Sequence, residues 1–270
     1  MRKNERLDDI LAILKQKKYA GVPELSQALY ASQPTIRRDL TQLENAGYVI
    51  RSHGGVILRD ERVDTPVAFR SSTQTQQKMQ ISRIAAGLIR EGQTVFLDAS
   101  TTASFMTEAI RSTDELTVVT NSLRVAEKLA DAAPKVWCTG GQLLRTSLAF
   151  VGNQSIRCVS DFCIDIAFFS SSALGTDGII KDYSSEETEI RRVVLQSAAK
   201  KVFLCDSSKF GRTSPFRVCG IGEVDCIITD APIPPEIRFS NLFAETDCKD
   251  GYLYSRSTSV LQRETEPQNP

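Results

Sequence analysis

Ser32-Gln33-Pro34-Thr35-Ile36-Arg37-Arg38-Asp39-Leu40-Thr41-Gln42-Leu43-Glu44 is the stretch on which the N-terminal fold turns. Ile36, Leu40 and Leu43 repeat at helical spacing and form one apolar face, Ser32 is a good N-cap, and Gly47 ends the run. The opposite face carries Gln33, Thr35, Arg37, Arg38 and Gln42. These side chains suit base edges and phosphates: arginine meets guanine with two hydrogen bonds, and glutamine does the same for adenine. Upstream, Leu7, Ile10, Leu11 and Leu14 fall at i, i+3, i+4 and i+7 and predict a helix over 4–17. Gly21 breaks it, and Pro23 opens a second short helix with Leu25, Ala28 and Leu29 inward. Downstream, Tyr48 to Ile57 reads as a strand, a Gly54-Gly55 turn and a second strand, with Arg51 and His53 near the tip, where they are expected to reach the DNA backbone or minor groove. Three short helices with a tight break before the third, followed by such a wing, are the plan of a winged helix-turn-helix. On spacing alone the module also fits a protein-docking or dimerisation domain.

Charge distribution favours the DNA reading. The chain is neutral overall, with 33 Lys/Arg against 33 Asp/Glu. Residues 1–59 nevertheless hold ten basic and six acidic residues, a net of +4, which leaves 23 basic and 27 acidic residues and a net of −4 elsewhere. A basic head on an acidic body is the expected split for a chain whose two parts meet different partners. The seven cysteines all follow residue 137, include no Cys-x-x-Cys, and lie far from the single histidine, His53. They read as buried, reduced thiols, and no metal site is expected. The first residues lack a signal-peptide pattern, and no apolar run reaches the ~20 residues of a membrane span, so a cytoplasmic protein is expected.

The expected organisation is a winged helix-turn-helix over 1–60, a linker or helix lead-in over 61–77, an α/β domain over 78–255, and a loose polar tail over 256–270. Within the α/β part, strands are predicted at Thr94–Leu97, Thr117–Thr120, Val136–Thr139, Ile166–Ser170, Val202–Cys205 and Cys226–Thr229. Most are continuous apolar runs alternating with helical patterns, which predicts an open, mostly parallel sheet covered on both faces. Ligands bind such sheets beyond the carboxyl ends of the strands. Those positions hold Asp98-Ala99-Ser100-Thr101-Thr102 at the start of a helix, Asn121, Gly140-Gly141 with Arg145, Ser170-Ser171-Ser172 with Asp177 beyond, and Asp206-Ser207-Ser208-Lys209. Each alone is equally a helix cap or a turn. Their recurrence at nearly every strand end favours one pocket for an anionic ligand, with a helix N-terminus available to a phosphate.

Thr35-Ile36-Arg37-Arg38-Asp39-Leu40, then Leu43-Glu44, then Arg51-Ser52-His53-Gly54-Gly55, resembles the N-terminal signature of the DeoR family of bacterial regulators. The order of strand-end segments resembles that family's effector domain: Asp98 to Thr102, Asn121, Gly140-Gly141 with Arg145, Glu187 with Arg191, and Asp206 to Phe210. The resemblance covers roughly residues 5–230. It implies a fold similar to ribose-5-phosphate isomerases, a phosphorylated sugar or related metabolite as effector, and repression of carbohydrate-metabolism genes by an oligomer that releases DNA when the effector binds. Two positions depart from the pattern. Arg191 stands where lysine is usual, and Ser170-Ser171-Ser172-Ala173 stands where glycines are common. An active sugar-phosphate isomerase fused to a DNA-binding head is the alternative, with Asp98, Asp177, Glu187 and Lys209 as available groups. A dinucleotide-dependent redox sensor is disfavoured because no Gly-x-Gly-x-x-Gly follows the first strand, and no cofactor is expected.

Overall fold

A computed structural model describes residues 3–17, 19–45, 48–52, 55–58, 67–237, 243–248 and 251–256. The chain divides into two compact units, Met1–Gln74 and Thr75–Pro270.

In the first unit, α1 (Lys3–Lys17), β1 (Tyr19–Gly21), α2 (Val22–Ala28) and α3 (Gln33–Asn45) precede a wing of β2 (Val49–Ser52) and β3 (Gly55–Leu58), and α4 (Val67–Ser72) follows. The apolar stripes meet as the sequence predicts. Leu7, Ile10 and Leu14 of α1, Leu25 of α2, Ile36, Leu40 and Leu43 of α3, and Val49 and Val56 of the wing form one core. Each fully buried aliphatic contributes about 1.5–3 kcal/mol of transfer free energy. Strand β1 was not expected from the sequence. Its three residues are too few to show alternation, and they become a strand by pairing antiparallel with β3, giving the order β1-β3-β2. The ring of Tyr19 then lies across Gly55. The expected linker is helical at α4; residues 61–66, His53, Gly54 and the tail 257–270 lie outside the described residues.

The second unit opens with α5 (Thr75–Ala86), β4 (Thr94–Leu97), α6 (Thr101–Ile110), β5 (Thr117–Thr120), α7 (Leu123–Leu129) and β6 (Lys135–Cys138). A hairpin of β7 (Gln142–Leu144) and β8 (Ala149–Val151) leads to α8 (Asn153–Ser160) and β9 (Ile166–Phe169). Then come β10 (Ala173–Leu174), β11 (Ile179–Asp182), α9 (Ser185–Ser197), β12 (Lys200–Cys205), β13 (Phe216–Gly220), β14 (Cys226–Thr229), β15 (Phe243–Cys248) and β16 (Gly251–Arg256). The main sheet runs β15-β16-β14-β12-β9-β4-β5-β6. Its six strands from β14 to β6 are parallel, and β16 and β15 add an antiparallel edge. All six predicted strands are present, shifted by at most two residues at an end.

Alternate residues of each strand serve opposite faces. Val95, Leu97, Val118, Phe168, Val202 and Leu204 pack with α5, α6 and α7. On the other side Phe96, Val119 and Ala167 pack with α8 and α9, while Phe169 and Phe203, with ring centroids 5.2 Å apart, pack with the small sheet β10-β11-β13. Burial on both faces explains the continuous apolar runs. Cysteines depart from expectation. All seven are free thiols, but only Cys205, Cys219 and Cys226 are buried. Cys138 is exposed because β6 is an edge strand, and Cys163 because it lies in the loop between α8 and β9.

Taken in chain order, the parallel strands lie 3-2-1-4-5-6, so the winding direction reverses between β4 and β9. At such a switch point the loops leaving two adjacent strands part in opposite directions and open a crevice. The residues leaving these two strands are Asp98 and Ser170.

Candidate functional site

In the first unit, α3 displays the predicted side chains. Gln33, Arg37 and Arg38 are exposed, Thr35 and Gln42 half-buried, and the Arg37 guanidinium donates to Gln33 Oε1 at 3.4 Å, one turn back. Ser32 accepts from the Thr35 N–H at 3.4 Å, as an N-cap does. Two contacts set the orientation of this helix. Asp39, buried on its inner side, receives Arg6 of α1 through two bonds, Nε to Oδ2 at 2.5 Å and Nη2 to Oδ1 at 3.2 Å. The Arg6 pKa is raised by that hydrogen bond, against the opposing effect of burial. On the outer side Arg51 of β2 donates to the Arg37 carbonyl at 2.7 Å and to Thr41 Oγ1 at 2.5 Å, and pairs with Glu44 at 3.2 Å. Arg51 thus braces the wing against α3, where the sequence suggested a side chain reaching out from the tip. His53, the other expected wing contact, lies outside the described residues.

In the second unit the predicted strand-end residues converge in part. Asp98 is buried, and its two oxygens accept three N–H groups: Ser100 at 3.0 Å, Ser170 at 3.1 Å and Arg191 Nε at 3.0 Å. One carboxylate therefore ties the ends of β4 and β9 to α9 across the switch point. Arg191 is itself buried, bonded to Asp182 at 2.9 Å, with Glu187 3.8 Å away. Burial works against its charge, but Asp182, Asp98 and Glu187 raise its pKa well above the usual arginine range, so it stays a cation. Asp182 also accepts from Ser172 Oγ at 3.1 Å.

Beside this cluster Lys209 donates to Ser170 Oγ at 2.7 Å and pairs with Asp206 at 3.2 Å. Burial alone would push the Asp206 carboxyl up, yet Lys209 and Lys78, together with hydrogen bonds from Ser208 and Lys209, hold it below the usual carboxylate range. Ser170, one of the departures from the family pattern, thus supports the lysine. Its own hydroxyl donates to the Leu204 carbonyl at 2.5 Å. In the β4–α6 loop, Ser100 caps α6 by accepting from Ala103 N–H at 3.1 Å. Thr101 and Thr102 occupy the first helical turn, where backbone N–H groups and the positive end of the dipole favour an anion. Thr102 Oγ1 is buried without a hydrogen-bond partner among the described residues.

Asn121 holds the neighbouring hairpin: its Nδ2 donates to the Phe150 carbonyl at 3.2 Å, its carbonyl accepts from Phe150 N–H at 2.7 Å, and its Oδ1 is buried with no partner among the described residues. Gly140 and Gly141 lead into that hairpin at φ 65° and 104°. A Cβ on Gly141 would stand 2.6 Å from the Val151 carbonyl, so only glycine fits. Arg145 is exposed in the hairpin loop. Asp177 is not gathered with the others. It sits in the β10–β11 turn, accepting from Ile179 N–H at 3.1 Å and from Lys181 at 2.7 Å.

Sequence reasoning missed Lys78 and Asp182. Lys78 is buried on α5, one turn ahead of Ser82, whose hydroxyl donates to the Thr102 carbonyl at 2.8 Å. Its signal was a charged residue on an apolar stripe, Lys78-x-x-Ile81-x-x-x-Ala85. Asp182 gave a weaker one, an acid just before the Ser184 cap of α9. Among the described residues no group of three or more His, Cys, Asp or Glu side chains is set to hold a metal ion, and no helix is long and apolar enough to cross a membrane.

Residues 6–62 match the DeoR-like helix-turn-helix domain, and residues 73–231 match the DeoR C terminal sensor domain. The chain is 31% identical to the glycerol-3-phosphate regulon repressor of Escherichia coli K12 over 238 residues, 88% of this chain and 94% of that one. It is 33% identical to the transcriptional repressor GlcR of Bacillus subtilis, covering 85% of this chain and 89% of that one. Ribose 5-phosphate isomerase A of Methanocaldococcus jannaschii aligns over 49% of this chain and 53% of its own at 16% identity, with a TM-score of 0.36.

Proposed function

Since the chain belongs to the DeoR family, we infer that it is a DNA-binding transcriptional repressor whose hold on its operator is set by a phosphorylated sugar or a related metabolite. The observation that carries the effector half is the cluster at the switch point. Asp98, Arg191, Ser170 and Lys209 lock the ends of β4, β9 and β12 into one network beside the N-terminus of α6. A phosphate on the first turn of α6, with Lys209 and Lys78 near, adds negative charge where cations are already gathered, and Asn121 Oδ1 and Thr102 Oγ1, buried without partners among the described residues, are the groups this reading assigns to sugar hydroxyls. Gln33, Thr35, Arg37, Arg38 and Gln42 read the operator, with Arg51 holding the wing in place. Two or more copies of the chain set their heads on repeated half-sites, and the protein works in the cytoplasm, where its DNA is. The effector acts only through a difference in affinity between DNA-competent and DNA-released arrangements.

The protein is a sensor without turnover in this reading. Three of the roughly four acceptor positions of the Asp98 carboxylate are taken by N–H donors, and Asp182 and Glu187 face Arg191, so these acids serve the buried network. Thermal unfolding against a panel of pentose and hexose phosphates tests the whole. One member raises the midpoint of the wild type in proportion to the logarithm of its concentration, and Lys209→Ala loses that shift. A flat panel, or turnover of a sugar phosphate that Lys209→Ala abolishes, contradicts it.

A further inference from the structure

The turn joining α2 to α3 holds a residue its geometry does not favour. α2 closes in a Schellman turn: Ala31 N–H donates to the Ser26 carbonyl at 3.1 Å and Tyr30 N–H to the Gln27 carbonyl at 3.4 Å. The Ser26 hydroxyl fastens the same turn by donating to the Ala31 carbonyl at 2.6 Å. Such a turn puts its middle residue in the left-handed region, where glycine is the usual occupant and asparagine the common substitute. Here that residue is Tyr30, at φ 48°, and its side chain is 98% exposed. The ring gains almost no packing to offset a backbone conformation that glycine would adopt without strain. Strain kept without a stabilising return within the unit points to use elsewhere.

Position supplies the use. Tyr30 stands two residues before Ser32, the cap of α3, and so at the end of the helix that carries Gln33 and Arg37 outward. The N-terminal part of a recognition helix enters the major groove, so the turn leading into it passes the groove wall, which is sugar and phosphate. A phenol suits that wall, with an O–H to donate to a phosphate oxygen and a flat apolar ring to lie on deoxyribose. We propose that Tyr30 is a sequence-independent contact to the DNA backbone, and that the left-handed turn is retained because it projects the ring beside α3. The proposal rests on the DNA-binding reading above.

The test uses the full chain and a labelled mixed-sequence duplex at low ionic strength, with thermal unfolding in parallel. Tyr30→Gly raises the unfolding midpoint of the head by about 4 °C as strain is relieved, and weakens duplex binding about five- to tenfold. Tyr30→Phe leaves the midpoint unchanged and weakens binding about fivefold, the share of the hydroxyl. Because tyrosine is neutral, neither variant changes the slope of affinity against salt. Binding by Tyr30→Gly equal to the wild type, while Arg38→Ala has lost it, overturns the contact. Tyr30→Phe binding as the wild type does removes the phosphate bond from the proposal. If the wild type does not bind the duplex, the DNA-binding reading itself fails; if it binds and Arg38→Ala and Tyr30→Gly both bind undiminished, the DNA lies on another face and the contact is overturned.

Discussion

The head and the strand ends of the body use charge in opposite ways. Among the described residues of the head the core is apolar apart from the Arg6–Asp39 pair, and Arg37 and Arg38 face water. In the body Asp98, Asp182, Glu187, Arg191 and Asp206 are each nearly fully buried, the first three acids gathered on Arg191 and Asp206 paired with Lys209. Exposed cations on a rigid helix suit a partner that is a continuous polyanion, because many weak, screened contacts add along it. Buried charges suit a small partner, because in a poorly screened interior one added phosphate acts strongly on every neighbour. The comparison assigns large-surface recognition to the head and single-ligand sensing to the body.

The buried pairs provide the hardest way to break this contrast. Asp98→Ala leaves the Ser100 and Ser170 N–H groups and Arg191 Nε without their acceptor, while Arg191 keeps Asp182 and Glu187, and is expected to destabilise the body by about 3–5 kcal/mol. Asp39→Ala does the same to the head, by about 3 kcal/mol, because Arg6 is left without its partner in a mostly buried position. Calorimetry separates the two if the units melt apart: each variant lowers the transition of its own unit and leaves the other in place. A small change in both would mean that these pairs are ornaments of the surface and the contrast is unfounded.

A weaker effect sharpens it further. The Asp206 pKa is lowered in the folded chain, so its contribution to stability is complete above the ordinary aspartate range, near pH 4. That contribution is lost as pH falls through the lower folded value, since the unfolded chain takes up the proton first. Acid titration of unfolding should show Asp206→Asn with a shallower loss of stability below about pH 4 than the wild type. Parallel acid limbs would say that Lys209 and Lys78 do not hold this carboxylate as described.

Much of this was legible in the sequence, and for a physical reason. Ile36, Leu40 and Leu43 can only be buried together on one face, and doing so turns Arg37 and Arg38 outward. The parallel strands were equally plain, since a run such as Ile166–Phe169 is apolar throughout only when both faces are covered. What stayed hidden depends on partners distant in the chain. Nothing local shows that Arg51 folds back on the Arg37 carbonyl, or that Asp182 shares Arg191 with Asp98, 84 residues away and joined only through the sheet. Asp177 shows the complementary ambiguity: an acid in a Gly-rich segment after a strand is as often a turn former as a ligand, and here it accepts from the Ile179 N–H in the β10–β11 turn.

The most direct test of the division of labour is a crossed titration. An operator duplex selected from a random pool is bound by wild type, Arg38→Ala and Lys209→Ala, each with and without the sugar phosphate that shifts the melting point. Arg38→Ala should lose roughly 10- to 100-fold in operator affinity while its thermal shift with the sugar phosphate is unchanged. Lys209→Ala should bind the operator as the wild type does and no longer release it. If Lys209→Ala still releases DNA at the wild-type effector concentration, or Arg38→Ala keeps full operator affinity, the account is contradicted.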